Sequence, residues 1–218
     1  MTSLDISPRH LKKDILDFSV KFLAKKESSE LTFRKIAKEL GVQHNAVVYH
    51  FGKKENLLIA IAAIGFARFA KKLQKATSGN KSSKQKLENL GEAYLEFALK
   101  NPGHFRVMFG AFLCNLAPSD HELNKCSNSA QSALHQICHE VVIEVNQTIL
   151  TASHQEELTK RLVIYCWSMM HGMALLFNDG PLSFHFQMDQ KRYRKSSADI
   201  LKMAINSIES IATNFSCL

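Results

Sequence analysis

The chain has 218 residues and carries 28 Lys+Arg against 20 Asp+Glu, a formal net charge of +8. A hydrophobic content of 45% is enough for a packed core in one or two ordinary domains. Nine Gly and four Pro are too few for the many turns of a sandwich or barrel, and the composition excludes collagen-like, low-complexity and disordered classes.

The charge is uneven. Residues 1–86 hold 18 Lys+Arg and 7 Asp+Glu, whereas residues 87–218 hold 10 and 13. A basic front on a near-neutral body points to a polyanion, either nucleic acid or an anionic membrane surface. The plain alternative is a solvated lysine-rich face. Within the front, residues 61–86 contain seven basic side chains and no acidic one, a placement suited to long-range steering. The first twenty residues show no apolar core of a signal peptide. The longest nearly unbroken apolar run, Leu57 to Ala67, falls well short of the ~20 residues that span a bilayer. Five widely spaced cysteines without a CxxC pair read as reduced thiols, so a soluble cytoplasmic protein is expected.

Helical period runs through nearly the whole chain. Ser7-Pro8 opens a helix with Leu11, Ile15, Phe18, Phe22 and Leu23 on one stripe, extending to about Lys25. Thr32 caps a short helix carrying Ile36, Ala37 and Leu40, which Gly41 stops. Another short helix spans Gln43 to about Phe51, followed by a long one from about Lys54 to Thr77. Further helices are expected over Lys84 to Asn101 and in the aromatic-rich stretch Pro102 to Cys114. Ser119-x-x-Glu122 and Ser153-x-x-Glu156 read as capping boxes, the second helix ending near Phe177 before Asn178-Asp179-Gly180-Pro181. Leu182 to Lys195 reads as less regular, and Ser196 to about Phe215 as the last helix. The expected fold is all-α with about nine helices: a three-helix front over residues 1–55 and a helical body over 56–218.

The informative stretch is Leu31 to Leu58. Two short helices joined by a tight glycine turn suit a helix-turn-helix, whose first helix braces on the backbone while the second lies in the major groove. Val47 and Phe51, four residues apart, can both face the core. Gln43, His44, Asn45, Val48, Tyr49 and His50 are then free to point outward. Asn and Gln suit adenine edges; Tyr, His and Lys suit phosphates.

This stretch resembles the TetR family of transcriptional regulators in the Thr32–Leu40 helix with Ile36-Ala37, Gly41-Val42, Tyr49-His50-Phe51 and Lys54-Glu55-x-Leu57-Leu58. The resemblance implies an all-helical homodimer that binds double-stranded DNA, with a variable C-terminal ligand domain. It places Thr32 and Arg34 at phosphate, Gln43, His44 and Asn45 at the outward start of the recognition helix, and Tyr49 and His50 at later contacts. Lys54, with Lys53 before it, falls at the phosphate contact opening the next helix. The family most often has tyrosine where this chain has Val48. Either Tyr49 takes over that phosphate contact, or Val48 meets a thymine methyl. Farther on, Tyr94 to Phe109 and Trp167-Ser168-Met169-Met170-His171-Gly172 resemble the C-terminal domain of one TetR subgroup, marked by a tryptophan and a His-Gly pair.

Aromatics and methionines crowd the C-terminal half. Phe105, Met108, Phe109, Phe112, Trp167, Met170 and Phe177 either line an apolar effector pocket, with Cys166 or His171 as a polar handle, or simply pack the core. His135, Cys138 and His139 share a helix face, yet no further ligand stands near in sequence, and no metal or other cofactor is expected. No GxSxG or glycine-rich phosphate loop supports catalysis. On the last helix, Ile200, Leu201, Ala204, Ile205, Ile208, Ile211 and Ala212 form a wide apolar stripe suited to a dimeric bundle or to internal burial. The expectation is a ligand-responsive DNA-binding regulator, most simply a repressor that a small apolar or amphipathic effector releases from a near-palindromic operator. The alternative is a basic helical membrane-surface or scaffold protein.

Overall fold

A computed structural model describes residues 8–110, 113, 121–145, 151–187 and 189–215. Its elements are α1 (Pro8–Leu23), a 3₁₀ turn (Ser28–Glu30), α2 (Phe33–Leu40), α3 (His44–Phe51), α4 (Lys54–Thr77), α5 (Ser83–Lys100), α6 (Pro102–Met108), α7 (His121–Val145), α8 (Ala152–Asn178), α9 (Pro181–His185) and α10 (Gln190–Phe215). No strand occurs among the described residues. The chain divides into two compact units, one of residues 1–67 with 101–126, the other of residues 68–100 with 127–218.

In the first unit, α1 packs on α2, α3 and α6, and α2 packs on α3. The apolar stripe predicted for α1 is realised at Leu11, Ile15 and Leu23, all buried, joined by Leu31, Ile36, Val47, Leu57 and Ile61. Burying such side chains contributes roughly 1.5–3 kcal/mol each. Gly103 lets the backbone of α6 touch that of α1: a Cβ there would lie 2.0 Å from the Val20 carbonyl oxygen. The buried His104 donates from Nδ1 to the Ile61 carbonyl (3.1 Å), which satisfies one polar group of an otherwise apolar contact.

In the second unit, α5 lies at the centre and packs against α8 and α10. Nine of its residues from Leu87 to Leu99 are buried over most of the helix circumference, and Glu92 and Lys100 stay exposed on the remaining stripe. By contrast α8 buries a narrow seam, Thr159, Leu162, Cys166, Met170 and Ala174, spaced three or four residues apart.

Two helix starts differ from the sequence expectation. Thr151, and not Ser153, caps α8, accepting the His154 N–H; Glu156 reaches His135 (3.4 Å) and Lys160 (3.6 Å) instead of closing a capping box. The last helix begins at Gln190, six residues before Ser196, because the Asp189 carboxylate accepts the Arg192 N–H (2.8 Å) and holds the first turn. The stretch expected to be irregular therefore holds α9 and the opening of α10. Ser7, Ser119, Cys114 and Cys217 lie outside the described residues, as do the side chains of Cys126 and of the final stripe from Ala204 onward.

Candidate nucleic-acid interface

The turn between α2 and α3 is built by local chemistry. Thr32 sits extended at the N-cap, its hydroxyl oxygen accepting the Lys35 N–H (3.2 Å). Its own proton stays available to a phosphate. At the other end Gly41 takes the left-handed conformation (φ 66°, ψ 28°), with its N–H to Lys38 and the Val42 N–H to Ala37 (3.0 Å). These two bonds satisfy the last carbonyls of α2 and turn the chain at once into α3. Beyond α3, Gly52 (φ 67°) reverses the chain, and Asn56 Nδ2 donates to the Phe51 carbonyl (2.9 Å), fixing the start of α4. Sequence reasoning misses Asn56 and Gly52; the glycine directly after a short helix is the available signal.

On α3, Val47 and Phe51 are buried on one side. A helix advancing 100° per residue then puts Asn45 and Tyr49 opposite the core, with His44 and Val48 on one flank and Ala46 and His50 on the other. Exposure follows that geometry: Tyr49 is 84% exposed, His44 and Asn45 are exposed, and Val48 and His50 are half-buried. Gln43 is exposed at the N-cap, outside the helix proper. Thr32 and Arg34 are exposed on α2, whereas neighbouring Lys35 turns inward to the Glu30 carbonyl (3.1 Å) and the Phe22 ring (4.7 Å). Lys53 is exposed; Lys54 is half-buried, and its pKa lies below the usual lysine value because burial strips hydration, an effect Glu55 partly offsets. The candidate DNA residues therefore lie along one continuous segment from Thr32 to Lys54, on the outer sides of α2 and α3 and at the start of α4.

The residues considered for an effector pocket fall into both units. Phe105 and Met108 are buried in the first, with the Phe105 and Phe109 rings 4.9 Å apart and Phe66 5.6 Å from Phe109. Phe112 lies outside the described residues. Cys166, Trp167, Met170, His171 and Phe177 all lie on α8 in the second unit, where Cys166 and Met170 are buried and Trp167 is at the surface. The Tyr94 hydroxyl stands 2.8 Å from His171 Nδ1 and also bonds the Trp167 side chain. An indole N–H can only donate, so Tyr94 keeps its own proton for Nδ1, and a neutral His171 carries its hydrogen on Nε2. Burial holds the Tyr94 phenol well above its usual pKa and lowers that of His171.

The histidine face of α7 is used internally. His135 meets Glu156, His139 Nδ1 meets the Thr159 hydroxyl (3.2 Å), and Cys138 is buried against Cys166. Among the described residues no three His, Cys, Asp or Glu side chains gather as a metal site, and no helix is long and apolar enough to cross a membrane. Part of the basic charge behind the front is also used internally, since Lys72 pairs with Glu96 at 2.7 Å.

A bracing helix, a glycine turn and a second helix with polar residues opposite its core seam define a helix-turn-helix DNA-binding protein with a helical body. Comparisons with known proteins agree. Residues 15–61 match the family of bacterial regulatory proteins of the tetR type, and residues 87–197 match the tetracyclin repressor-like C-terminal domain. The chain belongs to the TetR family and is a DNA-binding transcriptional regulator. No curated protein matches the sequence. Among solved structures the fold is shared with a protein of unknown function from Rhodococcus sp. RHA1 (20% identity, TM-score 0.68, covering 92% of this chain and 94% of that one). It is also shared with the TetR family transcriptional regulator PfmR from Thermus thermophilus (20%, 0.63, 90% and 97%). A third is a bacterial regulatory protein in the tetR family from Rhodococcus RHA1 (18%, 0.66, 95% and 98%).

Proposed function

We propose that this regulator acts in the cytoplasm as a homodimeric repressor on a near-palindromic operator, with residues 1–55 as its reading head and 56–218 as its effector-binding and dimerising body. The observation that carries the reading is the outward face of α3, where Asn45 and Tyr49 stand exposed opposite Val47 and Phe51. Asn45, with Gln43 and His44 beside it, reads base edges, adenine being the natural partner of an amide. Thr32, Arg34, His50, Lys53 and Lys54 hold phosphates and set register. The 84% exposure of Tyr49, against the half-buried Val48, supports the tyrosine as the aromatic phosphate contact. In a dimer the two α3 helices enter major grooves about 34–36 Å apart or somewhat more.

The exposed apolar residues of α8 and α10, among them Ile164, Leu175 and Ile200, support pairing of two copies along these helices. An apolar or amphipathic effector in the second unit favours the dimer that fits DNA less well. The shift equals the ligand's difference in affinity for the two states. The test is a fluorescence anisotropy titration against the promoter region of the protein's own gene and an unrelated duplex. Selective binding that weakens steeply with salt is expected. Equal affinity for every duplex refutes the reading head.

A further inference from the structure

The chain passes from α3 to α4 through a joint of unusual geometry. Phe51, the last residue of α3, is buried, and so are Leu57 and Leu58 at the start of α4. Between these anchors the backbone reverses at Gly52, with φ 67° and ψ −63°, while the Lys53 N–H donates to the Phe51 carbonyl (2.7 Å). That is a γ-turn of the positive-φ kind, which is rare and strained. Glycine enters it without a Cβ penalty, yet glycine enters many other turns as readily.

A strained turn persists where its surroundings over-determine it. Here one residue does so from both sides. Asn56 Nδ2 donates to the same Phe51 carbonyl (2.9 Å), whose two lone pairs then serve two donors. The Asn56 N–H donates to the Lys53 carbonyl (3.2 Å). The residues before and after Gly52 are thereby tied to a single partner.

The joint carries two cations. Lys53 follows the glycine and is exposed; Lys54 opens α4 and is half-buried, which limits the directions its ammonium can take. Asn56 is itself exposed at the third position of α4, where the higher helix propensity of alanine offsets part of what the side-chain bond gives the fold.

We propose that Asn56 is a positioning residue for DNA binding: its hold on the Gly52 turn presets Lys53 and Lys54 against the phosphate backbone. This role rests on the phosphate reading of those two lysines above and adds the group that acts through them. Without the Asn56 side-chain bond the turn becomes one of several open to Gly52, and DNA affinity falls with the fraction of chains that still form it. The loss of one such bond corresponds to about three- to tenfold.

A double-mutant cycle on the full chain tests it, with wild type, Asn56→Ala, the Lys53→Ala/Lys54→Ala pair and the triple variant. Each is titrated by fluorescence anisotropy against an unrelated duplex, on which phosphate contacts dominate, and thermal unfolding of the same samples checks that each is folded. Asn56→Ala should weaken binding about three- to tenfold. The lysine pair should weaken binding on its own, and Asn56→Ala should then add nothing, because the groups it positions are gone. An Asn56 that only supports the fold, or that touches DNA itself, would cost the same factor in both backgrounds, and such additivity overturns the positioning role. So does an Asn56→Ala variant that binds like the wild type while the lysine pair binds weakly, a result that leaves the phosphate reading standing. If the lysine pair itself binds like the wild type, the phosphate reading of Lys53 and Lys54 fails and the role of Asn56 falls with it.

Discussion

Among the described residues before residue 68, Tyr49 is the one large apolar side chain left exposed, whereas α7 to α10 and the turn after α9 leave Ile143, Ile164, Trp167, Leu176, Phe184, Phe186 and Met203 at the surface. The two regions share a helical idiom and differ in what they offer a partner. The reading head buries its apolar residues against α1 and shows polar ones, as suits a phosphate backbone and base edges. The body shows apolar ones on the same helices whose other faces are already packed. Such faces gain most from an apolar partner, and a second copy of the chain is the simplest one.

That contrast can be broken most sharply at its tightest joint. Gly103→Ala drives a methyl into the Val20 carbonyl, and the first unit should lose about 1–3 kcal/mol or more, read as an early unfolding transition together with weakened DNA binding. Thr32→Ala is milder: loss of the cap should cost about 1 kcal/mol and reduce DNA affinity without changing sequence preference. In the body the expected sign reverses. A Cβ at Gly172 meets nothing within 4 Å, so Gly172→Ala should stabilise the isolated chain by about 0.5–1 kcal/mol in thermal unfolding at low concentration. A loss of stability that grows with protein concentration would show that a second copy fills that space.

The smallest effect is in pH. Burial lowers the His171 pKa from 6.5, so the unfolded chain takes up this proton first as pH falls. The stability contributed by neutral His171 is present above pH 6.5 and declines below it until the folded imidazole protonates. A Tm series from about pH 7.5 to about pH 5 should show this decline in the wild type and a flatter profile in His171→Gln. Identical profiles would remove His171 from the buried network.

What can be read in the sequence follows the range of the forces involved. Thr32, Gly41 and the span Lys54–Thr77 are fixed by neighbours within a turn, and they stand where propensity and capping put them. The cap of α8 is misread from sequence because Thr151 and Ser153 are both competent hydroxyls two residues apart, and only the geometry selects one. Asp189 is overshadowed by the stronger signal of Gly180-Pro181, which opens the short α9 instead. A cavity between α5 and α10 joins residues 92–99 to 193–198, and no local pattern announces a partner so distant along the chain. The histidines of α7 suggest metal ligands because their spacing is local, while Glu156 and Thr159, which occupy them, come from another helix.

The division of labour within the reading head is tested most directly by one ratio: affinity for the operator over affinity for an unrelated duplex, measured by anisotropy at matched salt for wild type, Asn45→Ala and Lys54→Ala. Asn45→Ala should lower the ratio by the equivalent of about 1–3 kcal/mol with little change on the unrelated duplex. Lys54→Ala should weaken both duplexes alike, keep the ratio, and reduce the salt slope by about 1. If Asn45→Ala also leaves the ratio intact, the outward face of α3 does not read sequence, and the assignment of base contacts fails.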